Sequence, residues 1–241
     1  MRGAQASCCL GLLATAGCCH LPMRQPSPSV QPLPERLSME FSYPKTFNLE
    51  AKETGSKRRS GYDIRRIEMA ALPDRFDASR LVTLEYYAPR SDAGKPVVLV
   101  LPISGGGYDL EQYVSAYFAR RGWAAVIVHR RKLPREPVNG EELDAVLRQS
   151  VIDARRAIDW IETRPELDAT RIAVFGVSMG GIRAAILAPA DARVKAAVVG
   201  LAGGDIPYIL RHSAEPGIRR RRERILKEYN LKPDELEERF R

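Results

Sequence analysis

Continuous apolar runs at 97–101 (VVLVL), 123–128 (WAAVIV), 171–177 (RIAVFGV) and 194–201 (VKAAVVGL) punctuate the chain, and such runs suit strands buried on both faces of a sheet. Between them the period changes. Residues 110–121 read as a helix ending at Gly122, and 179–187 as another. Over 141–163, Leu143, Val146, Leu147, Val151, Ala154, Ile158 and Ile161 recur at three- and four-residue steps, one face of a long helix that Pro165 stops. Residues 62–69 alternate weakly and 81–87 (LVTLEYY) are β-branched and aromatic, which predicts an opening antiparallel pair. Turns are predicted at 92–96 and at Ser104-Gly105-Gly106-Gly107. Strands alternating with helices imply an α/β fold, a mostly parallel sheet with helices on both faces. After Ala202 the pattern turns helical and charged, at 206–212, 218–229 and 234–241, with no further apolar strand. The domain reading is therefore a core over 61–202 and a helical, lid-like segment over 203–241.

The chain's 241 residues are 44% hydrophobic and 28% charged, enough to bury one sizeable core and too apolar for a wholly disordered chain. Lys plus Arg outnumber Asp plus Glu by 38 to 30. That charge is scattered in Arg pairs along the chain, and only Arg219 to Arg222 forms a block. A nucleic-acid binder gathers its charge on one face with interleaved aromatics, and aromatics are only 7% here, so no nucleic-acid partner is expected.

All four cysteines, Cys8, Cys9, Cys18 and Cys19, precede residue 20, so no disulfide can staple the folded domain. Arg2, a short apolar run over 8–17 and the small pair Ala16-Gly17 have the layout of a secretory signal peptide over 1–17. Small residues before Cys18 resemble the lipobox of bacterial lipoproteins, although Thr15 stands where that motif most often has Leu. The resemblance implies that Cys18 carries a lipid and that 18–60 is a tether and N-terminal extension. Export to a bacterial envelope, tethered at Cys18, is the expected location; a cytoplasmic protein with a poorly ordered terminus is the alternative.

Gly176-Val177-Ser178-Met179-Gly180 fits Gly-x-Ser-x-Gly and lies between a predicted buried strand and a predicted helix, where its mechanism needs it. A serine on such a turn is exposed, and the helix N-terminus behind it supplies free N–H groups and partial positive charge. An acyl-transfer site also needs N–H donors for the oxyanion. Met179 is placed to supply one, and the loop after VVLVL the other, with Ser104 the first choice and Ile103 the next. The ordered series VVLVLPISGGG, WAAVIVHRR, SVIDARRAIDWIETRPELDATRIAVFGVSMGG and VKAAVVGLAGG resembles the α/β-hydrolase superfamily, nearest its dienelactone hydrolase and esterase branches. The resemblance spans about residues 80–202. It implies a serine hydrolase acting on carboxylic esters through an acyl-enzyme, with Ser178 the nucleophile and a small-molecule ester or acyl substrate. It implies no cofactor, and no metal-ligand spacing is present.

The resemblance breaks downstream. The family places an acid and then a histidine after the nucleophile, each following a further strand, and only 63 residues follow Ser178. The fold is accordingly expected to be C-terminally incomplete, with an open sheet edge at 194–201 through which chains could associate. Of the three histidines, His20 falls in the tether and His129 ends a strand. His212 follows the nucleophile in the required order, and Asp205 precedes it as a candidate acid. Each has an ordinary alternative, Asp205 as a helix N-cap and His212 as a solvated lid residue. Three readings stay open: a truncated hydrolase, an inactive scaffold lacking the triad acid and base, and an enzyme that builds its triad from these residues.

Overall fold

The computed structural model describes residues 33–45, 48–73, 81–90, 94–131 and 139–241. The expected leader, Cys18, His20 and residues 92 and 93 of the first predicted turn lie outside them. In chain order the elements are α1 (Glu35–Met39), β1 (Lys52–Arg58), β2 (Tyr62–Ala70), β3 (Leu81–Pro89), β4 (Lys95–Leu101), α2 (Asp109–Ala119), β5 (Ala124–Val128), α3 (Gly140–Glu162), β6 (Leu167–Val177), α4 (Met179–Ala190), β7 (Val194–Gly200), α5 (Ile206–His212), α6 (Pro216–Glu228) and α7 (Pro233–Arg239). The sheet runs β1-β2-β3-β5-β4-β6-β7. Pairing is antiparallel from β1 to β5 and parallel from β5 through β4 and β6 to β7.

The apolar runs become the four parallel strands. β5 is buried throughout and β4 nearly so, as their composition demands; each fully buried Leu, Val or Ile here contributes roughly 1.5–3 kcal/mol. β7 departs from the expectation of burial on both faces. It stands at the sheet edge, with Val198 55% and Val199 44% exposed and Leu201 beyond it 91% exposed. Its burial would require a neighbour on its outer side, and the described residues supply none.

Two elements arise inside the segment expected as tether and extension. β1, KETGSKR, is exposed at every position and has no apolar face to betray it; backbone pairing with β2 holds it, with a register shift between Glu53 and Gly55. Phe41 and Leu49 pack on the main core, and the Tyr43 hydroxyl donates to Asp159 at 2.7 Å. The extension from residue 33 onward is thus partly bound to the domain.

At 23 residues α3 is about 35 Å long, and its two halves serve different layers. Its C-terminal half packs Val151, Ala154, Ile158 and Ile161 into the core over the sheet. Its first turn packs Leu143 against Leu210, Ile225, Leu236 and Phe240 of the helical tail, with Leu147 beside them. Gly140 sits so close to Phe240 that a Cβ there would meet the Phe240 carbonyl oxygen at 2.9 Å. Arg222 caps the last turn of α5 by donating to the carbonyls of Leu210, Arg211 and Ser213. These contacts place α5 and α6 beside the C-terminal ends of the parallel strands.

Candidate active site

β6 ends at Val177 and α4 begins at Met179, so the turn is a single residue. Ser178 takes φ 53° and ψ −123°, a conformation that costs a side-chain-bearing residue of order 1–3 kcal/mol. Its N–H donates to the Gly200 carbonyl at 2.9 Å, and its own carbonyl accepts from Ile182 N at 3.0 Å. The strand beside it and the helix after it therefore enforce the conformation together. The flanking glycines are required by close approach: a Cβ on Gly176 would overlap the Gly180 carbonyl, and one on Gly180 would overlap the Leu101 carbonyl and meet Pro102 O at 3.0 Å. The elbow helix thus rests directly on the end of β4, where the candidate oxyanion loop starts.

That loop, residues 102–107, is tied down from three sides. Buried Glu111 accepts from Ile103 N at 2.9 Å. Ile103, the second-choice oxyanion donor, is thereby removed from contention, because its only N–H is already spent. Arg183, 7% exposed, donates to the carbonyls of Pro102 and Met179, joining loop to helix. Burial, and secondarily the nearby Arg130 charge, pulls the Arg183 pKa down to about 10. Arg130 holds the remainder through the carbonyls of Ile103, Gly105, Gly106 and Gly107. Met179 opens α4, so its N–H has no partner four residues back. Ser104, Ser178 and Met179 line one cavity of about 970 Å³, to which Ile206 and Ile209 of α5 and Ile218, Arg220 and Arg224 of α6 also contribute.

The family model for dienelactone hydrolases matches residues 84–208, just over half of the chain, and that span contains the elbow, the oxyanion loop and β4 through β7. The chain belongs to the dienelactone hydrolase family. The fold of the chain is the α/β fold of known α/β-hydrolase esterases. It is similar to the acetyl xylan esterase from Paenibacillus sp. R4, with a TM-score of 0.59, 21% identity and coverage of 85% of this chain and 69% of that one. Acetyl xylan esterase 1 from Thermoanaerobacterium sp. JW/SL YS485 gives 0.56, 18%, 88% and 74%. A glucuronoyl esterase from Teredinibacter turnerae T7901 gives 0.51, 16%, 69% and 50%. No curated protein matches the sequence.

The candidate acid and base are placed apart from the elbow. Asp205 caps α5, its carboxylate accepting from Tyr208 N at 2.9 Å, with Arg241 3.7 Å away. The His212 ring packs on Tyr208, centroids 4.3 Å apart, and its Nε2 lies 3.9 Å from Glu237 Oε2. Among the described residues no hydrogen bond joins either residue to Ser178 or to the other. His129 is stacked on Tyr108, and its Nε2 lies 3.5 Å from Glu85 Oε2 without an aligned hydrogen bond. Burial acts to raise the Glu85 carboxyl, but His129 and Tyr87 outweigh it and hold it below its ordinary value. No group of three or more His, Cys, Asp or Glu is arranged to hold a metal ion among the described residues. Glu111 and Arg183 carry no sequence motif: Arg183 meets Pro102, 81 residues earlier, through the strand order, whereas Glu111 meets Ile103 only eight residues earlier, through a burial that an acidic residue does not signal.

Proposed function

We propose that this hydrolase is a serine esterase that cleaves a small-molecule carboxylic ester through an acyl-enzyme at Ser178. The observation that carries the reading is Ser178 held at φ 53° on a cavity that Ser104 and Met179 also line; on this reading Met179 N–H and Ser104 N–H are the two oxyanion donors. In this reading Ser178 Oγ attacks the acyl carbon while a general base takes its proton. The two N–H groups hold the oxyanion, and the alcohol leaves with the proton returned to it. Water then repeats the sequence on the acyl-enzyme and frees the acid.

His212 is the base of this proposal and Asp205 the acid. Ile206, Ile209, Leu210 and Ser213 are the cavity-lining face of α5, and His212 lies about 110° round an ideal helix from its centre. Engaging it therefore requires α5 to turn and His212 to leave Glu237. Initial rates on p-nitrophenyl acetate test the assignment: Ser178→Ala abolishes turnover, and His212→Ala lowers kcat by about 10²-fold or more.

A second reading has its own supporting observation, that neither described histidine is bonded to Ser178, His129 lying against Tyr108 and His212 against Tyr208. Without a base the serine stays a weak nucleophile, and an oxyanion hole with binding alone leaves about 10³-fold acceleration over water. On that reading His212→Ala matches wild type and Ser178→Ala changes the rate little. Export as a lipoprotein through Cys18 is likewise proposed, on the layout of residues 1–20.

A further inference from the structure

Arg130 follows the end of β5, which runs parallel beside β4 with Ile127 opposite Val100. Its side chain therefore reaches the loop that leaves β4. One guanidinium nitrogen donates to Ile103 O at 2.8 Å and Gly105 O at 2.9 Å, the other to Gly106 O at 2.7 Å and Gly107 O at 3.4 Å. The guanidinium carbon lies 4.4 Å from the centre of the Tyr108 ring, and Arg130 N donates to the Tyr108 hydroxyl at 3.0 Å. Both ends of the loop are thus fixed to a single residue, and its charge meets carbonyl dipoles rather than a carboxylate.

Four carbonyls drawn to one side have a geometric consequence. In a trans peptide the C=O of one residue and the N–H of the next point in opposite directions, and the described chain has no cis bond. Turning Ile103 O toward Arg130 therefore turns Ser104 N–H away from it. Ser104 lines the Ser178 cavity, and its N–H has no hydrogen-bond partner among the described residues. Without a clamp, a loop of three consecutive glycines samples many backbone states, since each glycine has more freedom to lose than any other residue.

We infer that Arg130 is the positioning residue of the oxyanion loop: it draws the carbonyls of residues 103–107 to one side and so aims Ser104 N–H at the Ser178 cavity. Its catalytic consequence rests on the esterase reading, while the clamp itself does not. Lysine cannot substitute, because a single ammonium lacks the planar fork that reaches four carbonyls.

The test compares full-length wild type, Arg130→Lys and Arg130→Met, with circular dichroism to confirm folding. ¹⁵N relaxation of the Ser104 to Gly107 amides reads the clamp without reference to activity. Order parameters near about 0.85 in wild type are expected to fall below about 0.6 in both variants. On p-nitrophenyl acetate kcat is expected to fall about 10- to 100-fold in both, with KM changed less than about twofold, because a donor is displaced rather than a binding surface lost. Unchanged order parameters in Arg130→Met overturn the inference. So does recovery by Arg130→Lys, which would assign the effect to charge alone. Loss of loop order in the variants of a wild type that hydrolyses nothing sustains the clamp and overturns only the esterase reading.

Discussion

Replacing Ser178 by glycine is predicted to make the domain more stable while removing its proposed nucleophile. Ser178 holds φ 53° and ψ −123°, which for a residue with a Cβ costs about 2 kcal/mol, the middle of the usual range. Glycine removes that strain but adds unfolded-chain freedom worth roughly 0.5–1 kcal/mol, leaving a net gain of about 1 kcal/mol. Ser178→Ala is the control. It keeps the strained backbone and its bond to Gly200 O, and the Ser178 hydroxyl has no hydrogen bond among the described residues to lose, so its stability should stay within about 0.5 kcal/mol of wild type. Urea unfolding can be followed by tryptophan fluorescence, since Trp160 is buried in the core against Tyr86. With a slope of about 3 kcal/mol/M, the Ser178→Gly midpoint should lie about 0.3 M above that of Ser178→Ala. A midpoint equal to or below the alanine control would refute the claim that the elbow stores strain.

Gly180→Ala should lower stability by about 2 kcal/mol, because overpacking against the Leu101 and Pro102 carbonyls outweighs the better helix propensity of alanine; Gly105→Ala, with nothing within 4 Å of the added Cβ, should be neutral in the same urea titration. Asp191 bonds Arg155 and Arg193; burial works to raise its carboxyl, yet these arginines prevail and hold it below the ordinary aspartate value. A depressed folded pKa stabilises above the unfolded value and is lost as pH falls through the folded one. Asp191→Asn should therefore cost about 2 kcal/mol at pH 7, discounted because Arg193 keeps Asp159 and Glu162. That gap should close as pH falls below about 4, and a gap independent of pH would contradict the assignment. Cys18→Ala should move the protein from the membrane to the soluble fraction of a bacterial host, and an unchanged distribution would count against lipid attachment.

Legibility in the sequence followed burial. β4 and β5 could be read directly, because strands covered on both faces need apolar residues at every position. α5 through α7 were legible as helices for a similar reason, each carrying an apolar stripe into the cluster around Leu143. β1 was invisible, since KETGSKR buries nothing and depends on the backbone of β2. β7 stands at the edge expected at 194–201; its own apolar composition reads like that of a central strand, and the expectation comes instead from the lack of a further apolar strand after Ala202.

The site divides the same way. The elbow was legible because Gly176 and Gly180 mark unavoidable close approaches. Arg130 belongs to no motif and simply follows an apolar strand, yet it organises a loop more than twenty residues earlier. Glu111 stands in the first turn of α2, where acidic residues are commonly solvated, yet it is 1% exposed and accepts from Ile103 N. For Asp205 the ordinary N-cap alternative describes its contacts.

An activated serine reacts irreversibly with a fluorophosphonate, so intact-mass detection of the adduct on the folded protein decides whether this chain holds one. Wild type should gain one adduct rapidly and Ser178→Ala none, with both proteins folded by circular dichroism. A folded wild type that acquires no adduct, or a Ser178→Ala variant that acquires it equally, would contradict an activated serine at Ser178.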